Sequence, residues 1–236
     1  MTRHEDLRPL RAAVYTADGA AVVKILRTGI AEDDLQLAGD GLLVALAQRA
    51  AGTSDLAREA IFALRERDWE GDEELANQLD ELATTGAITD RKPLPVDLEQ
   101  LSDLLEGDAT YGSGRVELAT GEVVLDDSYD LEDEEDEPED PDKWLWVQCE
   151  GSRDGYWDME RFIGTVRDPG RADRLGVAIG GGSGAFRRFR AVLARWPSEA
   201  DRWYAFSAEC KRGRARAWLA ESGYYVQLAA RQRSRP

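Results

Sequence analysis

Two stretches of this chain carry residue types that could do chemistry. In the first, Gly180, Gly181, Gly182 and Gly184 break the backbone just before a helix that opens with Arg187 and Arg188. Unpaired N–H groups at such a helix start, the helix dipole and two guanidinium groups can together hold an anion. Gly182, Gly184, Arg187 and Arg188 are the candidate contacts. In the second, Lys211, Arg212, Arg214 and Arg216 form a basic cluster interleaved with Trp218. Cations beside an aromatic ring suit single-stranded nucleic acid, whose bases stack on aromatics. The structural alternative is preferred for both stretches. Glycines also permit a tight turn, arginines also pair with carboxylates, and the helical period places Trp203, Phe206 and Trp218 in a core.

Other chemistry finds no support. The single histidine, His4, lies close to the first residue of the chain, so imidazole-based acid–base catalysis, His-rich zinc sites and Ser-His-Asp or Cys-His nucleophiles are not expected. Cys149 alternates within a strand-like run and Cys210 falls on an apolar stripe, so both read as buried structural thiols. Gly180, Gly182 and Ala185 satisfy G-x-G-x-x-A, but a dinucleotide fingerprint needs a preceding strand and a βαβ sheet, and the following residues read as helical. Asp68, Glu70 and Asp72 alternate, yet Leu79 stands where a calcium loop needs its last Glu. No cofactor or metal is expected, and the chain reads as noncatalytic.

The glycine stretch needs helices around it. From Ala185 to Trp196, the residues Phe186, Phe189, Val192, Leu193 and Trp196 share an arc about 120° wide, with arginines on the outer face. Pro197 ends that helix. Ser198 and Asp201 form a capping box that opens a second, on which Trp203, Phe206 and Cys210 make one stripe. Two such stripes pack as a helical hairpin, since neither can be buried alone. The run GAFRRF at 184–189, RWP at 195–197, RWYAF at 202–206 and ARAWL at 215–219 resembles uncharacterised protein family 0158 of bacteria. The resemblance extends back to Val96, through PVDLEQL, the TGEV turn and the DMERFI segment. Members of that family often carry a Lys where this chain has Ser183, so an anion contact from that Lys would be missing here. The resemblance implies a domain and no activity.

Earlier in the chain, residues 1–88 read as a helical bundle. Leu7, Leu10 and Val14 suit a first helix, broken at Asp18 and Gly19, and Ala20 to Arg27 suits a second; Asp33-Asp34 opens a third that carries Leu35, Leu37, Leu42, Leu43 and Leu46 and is weakened by Gly39 and Gly41. Ser54 caps a fourth, and Leu75, Leu79 and Leu82 make a fifth. Residues 87–95 read as a Pro-stiffened linker. An α+β domain then runs over 96–230. It has a helix from Val96 to Glu106, a hairpin over 115–125 turning at Thr120-Gly121, and a third strand at WLWVQC, 144–149. Helices over 157–166 and 175–179 and a last strand over 224–228 complete it. The fold class is therefore α+β: an N-terminal helical bundle, a small antiparallel sheet and a C-terminal set of amphipathic helices.

Charge separates the functional readings. The chain has 236 residues and a formal net charge of −17, but from Arg167 onward 15 basic residues face 6 acidic ones. Segment 126–142 holds 12 acidic residues in 17 and is too charged to fold as a core. No apolar run approaches the 18 or so residues of a membrane span, the first residues lack a signal-peptide pattern, and two distant cysteines suit a reducing compartment, so a cytoplasmic location is expected. The favoured reading is a noncatalytic interaction or regulatory protein with a protein partner, in which the acidic segment masks the basic helices or docks on a basic partner. The alternative is nucleic-acid or phosphoanion binding through the C-terminal basic helices.

Overall fold

The computed structural model describes residues 7–107, 112–127 and 141–228. His4, most of the acidic segment and the basic tail lie outside them. Five helices form the N-terminal unit: α1 (Arg8–Tyr15), α2 (Gly19–Leu26), α3 (Leu35–Ala47), α4 (Thr53–Arg67) and α5 (Asp72–Thr85). Asp18 starts α2 by accepting from the Ala21 N–H at 2.9 Å. Ser54 does not cap α4; the helix begins one residue earlier, after Gly52 in the left-handed region at φ +87°. Every residue of α3 from Leu35 to Ala45 is buried, so this helix runs through the middle of the unit. Gly39 and Gly41, which weaken α3 by propensity, permit its packing. A Cβ on Gly39 would lie 2.4 Å from Leu75 and one on Gly41 2.8 Å from Val22.

The presumed linker contains a strand. β1 (Lys92–Leu94) pairs in parallel with β5 (Tyr224–Val226), in the register Lys92 to Tyr224. Between them come α6 (Leu98–Leu105) and a second sheet made of β2 (Gly112–Glu117), β3 (Val123–Asp127) and β4 (Trp144–Gln148). The hairpin places Val116 opposite Val123, as its alternation requires. β4 pairs antiparallel with the other edge of β2, giving the order β3-β2-β4. The acidic segment therefore links the two outer strands of this sheet.

Four helices follow: α7 (Arg153–Thr165), α8 (Pro169–Ile179), α9 (Ala185–Leu193) and α10 (Pro197–Glu221). α8 is longer than its apolar residues suggest, because Asp168 caps it through the Arg171 N–H at 2.9 Å and Pro169 takes its first position. α10 begins at Pro197 with no side-chain cap, so the Ser198–Asp201 box does not form. Pro197 takes the first helical position and Trp196 precedes it, so Ser198 lies inside the helix and cannot act as its N-cap.

α10 organises the molecule. Its first half packs Trp203, Phe206 and Cys210 onto Phe162 of α7 and Phe189 of α9, with the Phe189 and Trp203 rings edge-on at 4.8 Å. This is the apolar stripe expected for the helical hairpin. Its second half places Ala215 and Leu219 in a core with α6, β1, β2, β4 and β5. The N-terminal unit has its own core, centred on Leu42, Leu64, Leu75 and Leu79. The chain is α+β, and no helix among the described residues is long and apolar enough to cross a membrane.

Candidate functional site

The basic cluster lies on α10, where that helix meets the N-terminal unit. Arg212 and Arg216, one turn apart, both reach Asp40 of α3. Arg216 is 1% exposed and also donates to Gln36 Oε1 and Gln78 Oε1, each at 3.0 Å. Arg212 donates to Glu99 at 2.6 Å. Arg214 faces the other way and donates to Asp158 at 2.9 Å and Glu106 at 2.6 Å. Lys211 lies 3.1 Å from Asp103 and 2.8 Å from Glu106. Burial pulls Lys211 down, but these two carboxylates outweigh it and its pKa ends above the ordinary lysine value. The four cations expected to face a ligand are thus directed at carboxylates of their own chain. A buried guanidinium is tolerable only with such partners.

The same seam holds Glu209. Its two oxygens accept from the Gln36 N–H at 2.7 Å and the Leu37 N–H at 3.2 Å, which are free donors at the first turn of α3. Arg67 donates to it at 3.0 Å and also to both oxygens of Asp72. Burial pushes Glu209 up to about 7, against the pull of Arg67 and the two N–H groups. Where the two units touch, Gly213 of α10 lies against the backbone of Glu70 and Gly71. Sequence reading does not reveal this network, because apart from Glu209 its carboxylates come from α3, α5, α7 and α6 with its C-terminal cap, far from α10 in sequence.

The glycine stretch joins α8 to α9. A helix precedes it, so the strand that a dinucleotide fingerprint requires is absent there. Gly182 and Gly184 both have positive φ, at +67° and +81°. Arg188 folds back over the turn and donates to the carbonyls of Ala178 at 2.8 Å, Ser183 at 2.7 Å and Gly182 at 3.2 Å. It closes the turn. Arg187 is exposed on the outer face of α9.

A surface not singled out from the sequence is the outer face of the three-stranded sheet. Alternation turns Leu145 and Val147 of β4 inward and Trp144 and Trp146 outward. Trp146 is 56% exposed. Arg115, opposite Trp146 in register, lies over the Trp144 ring at 4.6 Å and the Trp146 ring at 5.7 Å. The WLWV pattern was the available signal for this face.

Among the described residues no group of three or more His, Cys, Asp or Glu side chains could hold a metal ion. Cys149 and Cys210 are both buried and neither forms a disulfide. Burial, and then Asp158 beside it, push the Cys210 thiol well above its ordinary range, which keeps it protonated. No family model matches the chain, and neither a curated protein nor a solved structure matches it.

Proposed function

We propose that this protein is a noncatalytic interaction protein that captures a basic protein partner. Its contact surface is the acidic segment 126–142 together with the Trp144–Trp146 face of the sheet. One observation carries the reading: Lys211, Arg212, Arg214 and Arg216 are each paired with Asp40, Glu99, Asp103, Glu106 or Asp158. The 12 acidic residues of the segment are therefore not needed as the counter-charge of those basic helices. That leaves a basic partner as the complement of a strongly acidic tether. Exposed Trp146 and half-buried Trp144, in the strand that follows it in sequence, supply apolar anchoring, since Trp and Arg are the residues most often dominant at interfaces. Charge steers the encounter and the aromatic face holds it.

The test is a titration of the intact protein, a chain lacking residues 128–140 and Trp146→Ser against an arginine-rich peptide and single-stranded RNA at two salt concentrations. The peptide should bind the intact protein, more weakly at high salt. The deletion should abolish binding, and Trp146→Ser should weaken it about tenfold, about 1.4 kcal/mol. RNA binding that survives the deletion and is lost in Arg187→Ala would overturn the proposal in favour of nucleic-acid recognition by α9. No peptide binding at either salt concentration would also overturn it.

A further inference from the structure

A cavity of about 380 Å³ opens on the seam between the N-terminal unit and the rest of the chain. That volume lies within the range of small-molecule sites, which favour the junctions between structural units. Its walls come from α1, α3, the start of α6, α10 and the residues around β5. Val14, Leu37, Val96, Leu98 and Val226 give it an apolar lining.

The charged groups of the wall are unevenly satisfied. Asp40 is held by Arg212 and Arg216. Glu99 is held by Arg212 at 2.6 Å. Asp97 accepts from the N–H groups of Glu99 and Gln100 as the cap of α6. Arg11 differs. Its Nε is buried and has no hydrogen-bond partner among the described residues. That nitrogen is shut off from the cavity, so a carboxylate there would be held by the terminal nitrogens of the guanidinium, which match it in two parallel hydrogen bonds. Tyr15, one helical turn from Arg11, lines the same cavity.

We infer that this cavity binds a small, largely apolar carboxylic acid, with its carboxylate on Arg11 and its hydrocarbon body against the apolar lining. The site is separate from the sheet face and does not depend on the partner proposed for it. A bound acid would touch both units at once and so stabilise their union.

The experiment is calorimetric titration of the full chain with octanoate, octanol and octylamine, repeated on Arg11→Gln and Ala12→Phe. Ala12 is an exposed residue at the cavity wall, so its enlargement narrows the site without disturbing a core. Octanoate should bind one to one, at least tenfold more tightly than octylamine or octanol. Arg11→Gln should lose that preference, and Ala12→Phe should weaken all binding while the far-ultraviolet circular dichroism stays unchanged. No saturable octanoate binding, equal affinity for the amine or the alcohol, or an octanoate affinity unchanged in both variants would each overturn the assignment. If Arg11→Gln fails to fold, the ligand preference of the intact chain and the Ala12→Phe result still decide the question.

Discussion

Gly213→Ala should reverse the sign expected from helix propensity. Gly213 lies in the interior of α10, where replacing glycine by alanine ordinarily stabilises a helix by about 1 kcal/mol. Here a Cβ at Gly213 would fall 2.0 Å from the Glu70 carbonyl oxygen and 3.1 Å from its carbon. Both are backbone atoms and cannot swing aside like a flexible side chain. α10 would have to move away from the turn between α4 and α5. That turn is held in place by Gln36, which donates to the Gly71 carbonyl at 3.2 Å and to Asp72 at 2.8 Å. Overpacking of a close-packed site costs about 1–3 kcal/mol, and the shift would also stretch the Glu209 and Arg216 hydrogen bonds, each worth about 1.5–3 kcal/mol when charge-assisted. A net loss of about 2 kcal/mol or more is expected, a fall in Tm of about 4–8 °C for a chain of this size. Urea denaturation followed by tryptophan fluorescence and by circular dichroism measures it. A variant as stable as the parent, or more so, would refute the close approach of the two units.

Three further outcomes follow from the same seam and its neighbours. Arg216→Met leaves Asp40 buried with only Arg212 as its charged partner, so a loss of about 3–5 kcal/mol is expected; a urea midpoint shift worth less than about 1 kcal/mol would mean that Arg216 is not structural. Glu209 holds its proton more tightly in the folded state, at about 7 against an ordinary 4.5. Its contribution to stability is therefore fully present below 4.5 and lost as pH rises through about 7, and Glu209→Gln should flatten the rise in urea midpoint on going from pH 7.5 to pH 5. Asp168→Ala removes the cap of α8 and should cost about 1 kcal/mol, read by thermal denaturation, with Asp168→Asn recovering most of it.

How much of the candidate site was legible depends on what a side chain reveals of its partner. Arg188 stood out because it follows a glycine turn, but nothing local shows that its guanidinium closes the turn instead of meeting an anion. The Trp146 face was legible in principle, since period-two alternation separates it from Leu145 and Val147. Arg11 carried no signal at all. It is an ordinary helical arginine until the seam closes over its Nε.

The local rules of the chain determined its elements. Pro197 separates α9 from α10, the Phe186–Phe189–Leu193 stripe sets the buried face of α9, and the Val116–Val123 alternation sets the hairpin register. Each of these signals acts within a few residues, so one sequence displays it directly. Only the tertiary structure decided where charge and close contact would go. Arg212 meets Asp40 across 172 residues and Arg214 meets Asp158 across 56. An arginine bound for solvent and one bound for a buried carboxylate have the same local pattern. Gly213 looks like a weak point in a helix until the backbone of Glu70 lies against it, and Lys92–Leu94 looks like a linker until Tyr224–Val226 supplies its hydrogen-bond partners. Pairings at such separations depend on the packing of all three cores together.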